Sequence, residues 1–102
     1  MVKGEYAKAG ELLWGSIVEA AKALSLKYTG EPIDDHKKIR RFLKELCLRN
    51  DNLQSCIYWT KAAESLHINF YETFMEKEIF LETYEKGKML LSFLQSLLLI
   101  QK

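Results

Sequence analysis

Apolar side chains recur at intervals of three and four along most of the chain, the spacing that gathers them on one side of an α-helix. From Glu5 to Tyr28 the row is Tyr6, Ala9, Leu13, Ile17, Ala20, Leu24 and Tyr28, and Ala7, Trp14, Val18 and Ala21 widen it. At about 1.5 Å per residue this predicts a rod of roughly 36 Å, which buries well only beside another of similar length. Gly10 and Gly15 each cost about 1 kcal/mol against Ala inside a helix, and close packing of a neighbour is the expected compensation.

Thr29-Gly30-Glu31-Pro32 ends the first helix, since Gly30 suits a left-handed cap and Pro32 cannot continue the ladder. Asp34 or Asp35 then caps a second helix to about Arg49, apolar at Ile39, Phe42, Leu43, Leu46 and Cys47. Its other side, His36, Lys37, Lys38, Arg40, Arg41 and Lys44, is a run of positive charge. Asn50-Asp51-Asn52 is short enough only for an antiparallel hairpin, with Asp51 as the better cap of a third helix along Leu53, Cys56, Ile57, Thr60, Ala63 and Leu66. Leu66 to Met75 reads as a bent segment or short extra helical turn before a last long helix, about Lys77 to Gln101. That helix places Phe80, Tyr84, Gly87, Leu91, Leu94 and Leu98 in one row, flanked by Ile79, Thr83, Leu90 and Leu97. No alternating segment of strand type appears. The expectation is a single all-α domain over residues 1–102, an up-and-down four-helix bundle.

Composition narrows the function classes. Lys and Arg number 15 against 14 Asp and Glu, a formal charge of +1, so no global field draws the domain to nucleic acid or an anionic membrane. Any such role rests on a local patch. One proline and five glycines exclude collagen and proline-rich linkers. Met1 to Glu5 leads into an amphipathic pattern instead of an apolar core, so no secretory signal is expected. Met89 to Ile100 is interrupted by Ser92, Gln95 and Ser96 and falls short of the roughly 20 residues a bilayer needs. The expected setting is the cytoplasm, without a membrane. Cys47 and Cys56 lack zinc-site spacing; they would face each other across antiparallel helices, but cytoplasmic thiols are usually reduced and a disulfide is the minority expectation.

No phosphate-loop pattern occurs, and the two histidines lie 31 positions apart without E-x-x-H pairing, so neither a metal centre nor a cofactor is expected. His67 is the candidate proton-transfer residue, since imidazole titrates nearest working pH. Lys61, six residues earlier, and Asn69 are its candidate companions on a phosphodiester. The plainer reading, since a lone His near an apolar run is usually structural, is a helix end at which His67 donates to a backbone carbonyl. Lys37, Arg40, Arg41 and Lys44 are the candidate phosphate or RNA seat, although with a net charge of only +1 a solvated helix face is the plainer reading. The last helix, with Leu90-Leu91, Phe93-Leu94 and Leu97 to Ile100, carries more apolar surface than one side can bury, which favours a homodimer through the long helices.

Gly4-Glu5-Tyr6, Ala9, Leu13-Trp14-Gly15 and Glu19 to Leu24, followed by Leu66-His67-Ile68-Asn69-Phe70-Tyr71-Glu72, resemble the two signatures of the archaeal PaREP paralogous family. That family is usually grouped with the HEPN (higher eukaryote and prokaryote nucleotide-binding) helical bundles. The resemblance implies a dimerising helical module connected with nucleotides or RNA, non-catalytic or paired with a nucleotidyltransferase-type partner. The alternative it implies is a metal-independent endoribonuclease. The catalytic pattern of such domains is an Arg followed by four to six residues and a His. Here His67 matches the His, whereas Lys61 stands in the Arg window, a point cation without the bidentate fork.

Overall fold

The computed structural model describes residues 3–49 and 53–100. Four helices make up nearly all of it: α1, Lys3–Thr29; α2, His36–Leu48; α3, Leu53–Glu72; and α4, Lys77–Leu99. No strand occurs among the described residues. The proposed Asp51 cap lies outside them.

Helices α1, α3 and α4 pack along one another, and their apolar rows meet in the middle. Ile17, Ala21 and Leu24 of α1, Ala63 and Leu66 of α3, and Leu90 and Leu94 of α4 are wholly buried. Two glycines leave room for neighbouring side chains where the helices pack. A methyl group on Gly10 would sit 3.2 Å from both Leu66 and Phe80, and one on Gly87 would sit 2.9 Å from Leu13. Gly15 differs from the expectation: it is exposed, with nothing within 4 Å of where a Cβ would stand. No neighbour compensates for it, because it falls on the outer side of α1.

The directions of the helices follow from who meets whom. The Tyr6 and Phe80 rings meet tilted, with centroids 5.0 Å apart, and Lys27 Nζ donates to the carbonyls of Leu97 and Leu98 at 3.1 Å each and to that of Ile100. The first and last helices therefore run parallel, and Lys27 neutralises the negative end of α4. Helix α3 runs against both, since Leu66 lies beside Gly10 and Trp59 lies 6.4 Å from Phe93.

Helix α2 is the departure from a simple up-and-down path. Its first residue, His36, lies against Trp14 in the middle of α1, while Phe42 and Glu45 further along share a cleft with Ser25 and Thr29 near the end of α1. Residues 30–35 thus double back alongside α1, and α2 rises in the same direction as α1. Gly30 turns the chain at φ 76°, and the buried Ser25 hydroxyl donates to the Glu31 carbonyl at 2.9 Å, pinning the start of the return. Asp35 then caps α2, accepting from the backbone N–H groups of Lys37 and Lys38 at 2.7 and 3.3 Å. All five residues of the expected apolar row of α2 are buried. The helix packs on α1 and α3 and makes no close approach to α4.

The segment 66–75 is not a separate helical turn. Helix α3 continues through Glu72, and residues 73–76 form a tight link to α4. Thr73 takes a left-handed φ of 46°, its N–H bonding the Asn69 carbonyl at 2.7 Å, and the Asn69 side chain accepts from the Met75 N–H at 2.9 Å. That second bond supplies locally what an extra turn would have supplied. Cys47 and Cys56, expected as free thiols, are joined as a disulfide between the end of α2 and the start of α3.

Candidate functional site

The hairpin of α2 and α3 gathers the polar residues of interest. Along α2, Lys37, Arg40, Arg41 and Lys44 are all exposed and border a shallow depression of about 290 Å³. Arg40 and Lys44, one turn apart, also face α3. There they line a groove of about 510 Å³ with Ile57, Thr60, Lys61 and Glu64. Lys61 thus joins the basic residues of α2 and not His67. Six residues of helix rotate a side chain by about 600°, leaving it roughly 120° away around the axis. Within the groove Glu64 accepts from Arg40 at 3.1 Å, and among the described residues no carboxylate is salt-bridged to Lys44 or Lys61.

Next to the groove the structure brings together the only two histidines of the sequence. The rings of His36 and His67 stack with centroids 5.4 Å apart and planes 27° from parallel. Trp14, almost fully buried, backs both at 5.5 and 5.6 Å, and Tyr71 meets His67 edge-on. Each imidazole also has its own carboxylate. Glu11 of α1 lies 2.8 and 3.1 Å from His67 Nδ1, and Glu64 lies 3.4 Å from His36 Nε2. The side chains remain in touch with water, 28% exposed for His67 and 43% for His36. A carboxylate on one ring nitrogen fixes the tautomer and leaves the other nitrogen for a ligand. His67 therefore sits inside α3 and is held by a side chain, not by the backbone carbonyl of a helix end. Among the described residues no cluster of three or more His, Cys, Asp or Glu is arranged to hold a metal ion.

Asn69 stands apart. It is 2% exposed, and its carboxamide oxygen is occupied by Met75, so it braces the α3–α4 link and does not face the groove. Sequence reasoning placed His36 only in the basic run and missed Glu11 and Glu64 altogether. A signal for the histidine pair was present. Cys47–Cys56 and His36–His67 share one midpoint, between residues 51 and 52, as antiparallel partners across a hairpin must. In each helix the cysteine and histidine are 11 residues apart, close to three full turns, and so lie on the same side.

The family model of the archaeal PaREP1/PaREP8 family matches residues 1–91. The protein belongs to that family. The matched span of this PaREP1/PaREP8 chain takes in α1, α2, α3 and most of α4, and with them both histidines, both cysteines and the whole basic groove. No curated protein and no solved structure matches the chain.

Proposed function

We propose that this PaREP1/PaREP8 protein is a HEPN-like helical module that seats the phosphate backbone of a nucleotide or RNA in the α2–α3 groove. It acts as a homodimer or with a partner protein, for which a nucleotidyltransferase is the first candidate, and without catalysis of its own. The observation that carries the reading is the convergence of Arg40, Lys44 and Lys61 on one groove large enough for a phosphorylated ligand. The assembly is supported by apolar side chains left uncovered on α4, among them Ile79, Leu81, Met89 and Leu99. The proposed setting remains the cytoplasm. Among the described residues no helix is long and apolar enough to cross a membrane. A disulfide is compatible with the cytoplasm of hyperthermophilic archaea.

The test is fluorescence anisotropy with a labelled 12-nucleotide RNA. With three phosphate contacts on a single strand, the logarithm of affinity falls with the logarithm of salt at a slope of about −2, or roughly 20-fold between 50 and 200 mM. The double substitution Lys44→Glu and Lys61→Glu is expected to weaken binding at least 10-fold. Unchanged affinity in that variant rules the groove out.

One observation favours a second reading, a metal-independent endoribonuclease. The Glu11 carboxylate on His67 Nδ1 is the arrangement that keeps the opposite ring nitrogen ready to accept a proton. Its signature is RNA cleavage in EDTA that disappears in His67→Ala.

A further inference from the structure

We propose that His36 is the second proton-transfer residue of this site, so that one histidine removes a proton from RNA while the other supplies one. The inference rests on the ribonuclease reading and adds to it a residue and a division of labour.

Two imidazoles from separate helices are stacked within 5.4 Å, each fixed through one nitrogen by a different glutamate. Such a pair offers one ring to accept a proton and another to donate one, two tasks that a single imidazole cannot perform at once. The buried Trp14 closes off the inner side, so both rings act toward the surface. Position relative to phosphate is set by Glu64, which receives both His36 and Arg40 and so places the pair at the edge of the basic groove. Among the described residues Glu11 is salt-bridged to His67 only, whereas Glu64 is shared with a guanidinium. His67, with its tautomer fixed by the unshared carboxylate, is assigned as the base. His36, the more exposed ring and the one that reloads from water, is the acid.

The step balances without a further reactant. The free nitrogen of His67 takes the proton of a ribose 2′-hydroxyl as its oxygen bonds to phosphorus. The bond from phosphorus to the 5′-oxygen of the next nucleotide breaks, and the imidazolium of His36 gives that oxygen a proton. The products are a 2′,3′-cyclic phosphate and a 5′-hydroxyl end. Glu11 and Glu64 are positioning residues.

The experiment compares wild type, His36→Gln and His67→Gln in EDTA on two RNA oligonucleotides. One is unmodified, and the other carries sulfur in place of the bridging 5′-oxygen at one linkage. Sulfur leaves without help from an acid, so it replaces the function assigned to His36 and not that assigned to His67. On unmodified RNA, wild type is expected to give the cyclic phosphate, and each variant to be slower by about 100-fold or more. On the sulfur substrate His36→Gln should return to within about 10-fold of wild type while His67→Gln stays slow, a pattern that misfolding does not produce. If His36→Gln cleaves unmodified RNA as fast as wild type, or if sulfur rescues both variants or neither, the assignment of His36 is wrong. Cleavage lost only in His67→Gln would leave the ribonuclease reading standing with one histidine. No cleavage by wild type removes both, and leaves RNA binding as the function.

Discussion

At the scale of single residues, the three helical glycines Gly10, Gly15 and Gly87 show how one residue type carries opposite meanings. Gly87 lies where α4 crosses Leu13 and Leu66, and even a methyl group there would come 2.9 Å from Leu13. Gly87→Val adds two further carbons to a packed interior, and the expected loss is about 2–3 kcal/mol in chemical denaturation. Gly15 meets nothing, so Gly15→Ala changes only helix propensity and should gain about 1 kcal/mol. If Gly15→Ala destabilises, the outer side of α1 is in contact with something. From the sequence the two positions look alike, because spacing along a helix does not say which side a neighbour will cover. Ile79 makes the same point: it was grouped with the inner flank of α4 and lies half in water.

At the scale of the element, α2 depends on its ends. Asp35 holds the first turn, and the N–H groups of Lys37 and Lys38 keep its carboxyl below the usual aspartate range. A carboxyl lowered by folding stabilises the folded state above its ordinary value of 3.8, and that contribution is lost as pH falls through the lower folded value. Asp35→Asn keeps a capping oxygen without the titration. Denaturation from pH 7 to pH 2 should therefore show wild type losing stability relative to Asp35→Asn only from about pH 4 downward. A constant difference across the range would mean that the cap does not titrate with folding. The existence and type of all four helices and the approximate limits of α1, α2 and α4 were legible, since amphipathic spacing and the Gly30, Pro32 and Asp35 signals are local. The end of α3 was not, because the cap formed by Asn69 and Met75 closes only in the folded chain. The direction of α2 was not. A six-residue connection serves equally for a hairpin and for a strand that doubles back, and the hydroxyl of Ser25 that favours the second meets its partner only after folding.

At the scale of the whole molecule, the disulfide and the histidine pair hold the two ends of one helical hairpin. The bridge closes a loop of sequence separation 9, and loops of that size gain about 2.5–3 kcal/mol from cross-linking in the unfolded chain. Guanidinium unfolding with and without reductant should differ by that amount, and coincident curves would show that the cross-link adds nothing. Both ends share one register. Lys37, Arg40, Arg41, Lys44 and His67 were readable singly as chemistry-bearing side chains. His36 was read only as part of the basic run, and Lys61 only as a companion of His67. That Lys61 joins the α2 cations, and that Glu11, Glu64 and His36 gather around His67, was not read, because it depends on how three helices are set side by side. The exception is the shared midpoint of the cysteines and histidines, which states the register of the hairpin in the sequence itself.

Three ascending passes and one descending pass carry the chain from one pole of the bundle to the other. Residues 3 and 100 therefore emerge at opposite poles of a body 43 Å long. Bodies tethered to the two extremities are held apart by the full length of the bundle, as by a strut. A circularly permuted version would need a bridging peptide of about 12 extended residues to span that length.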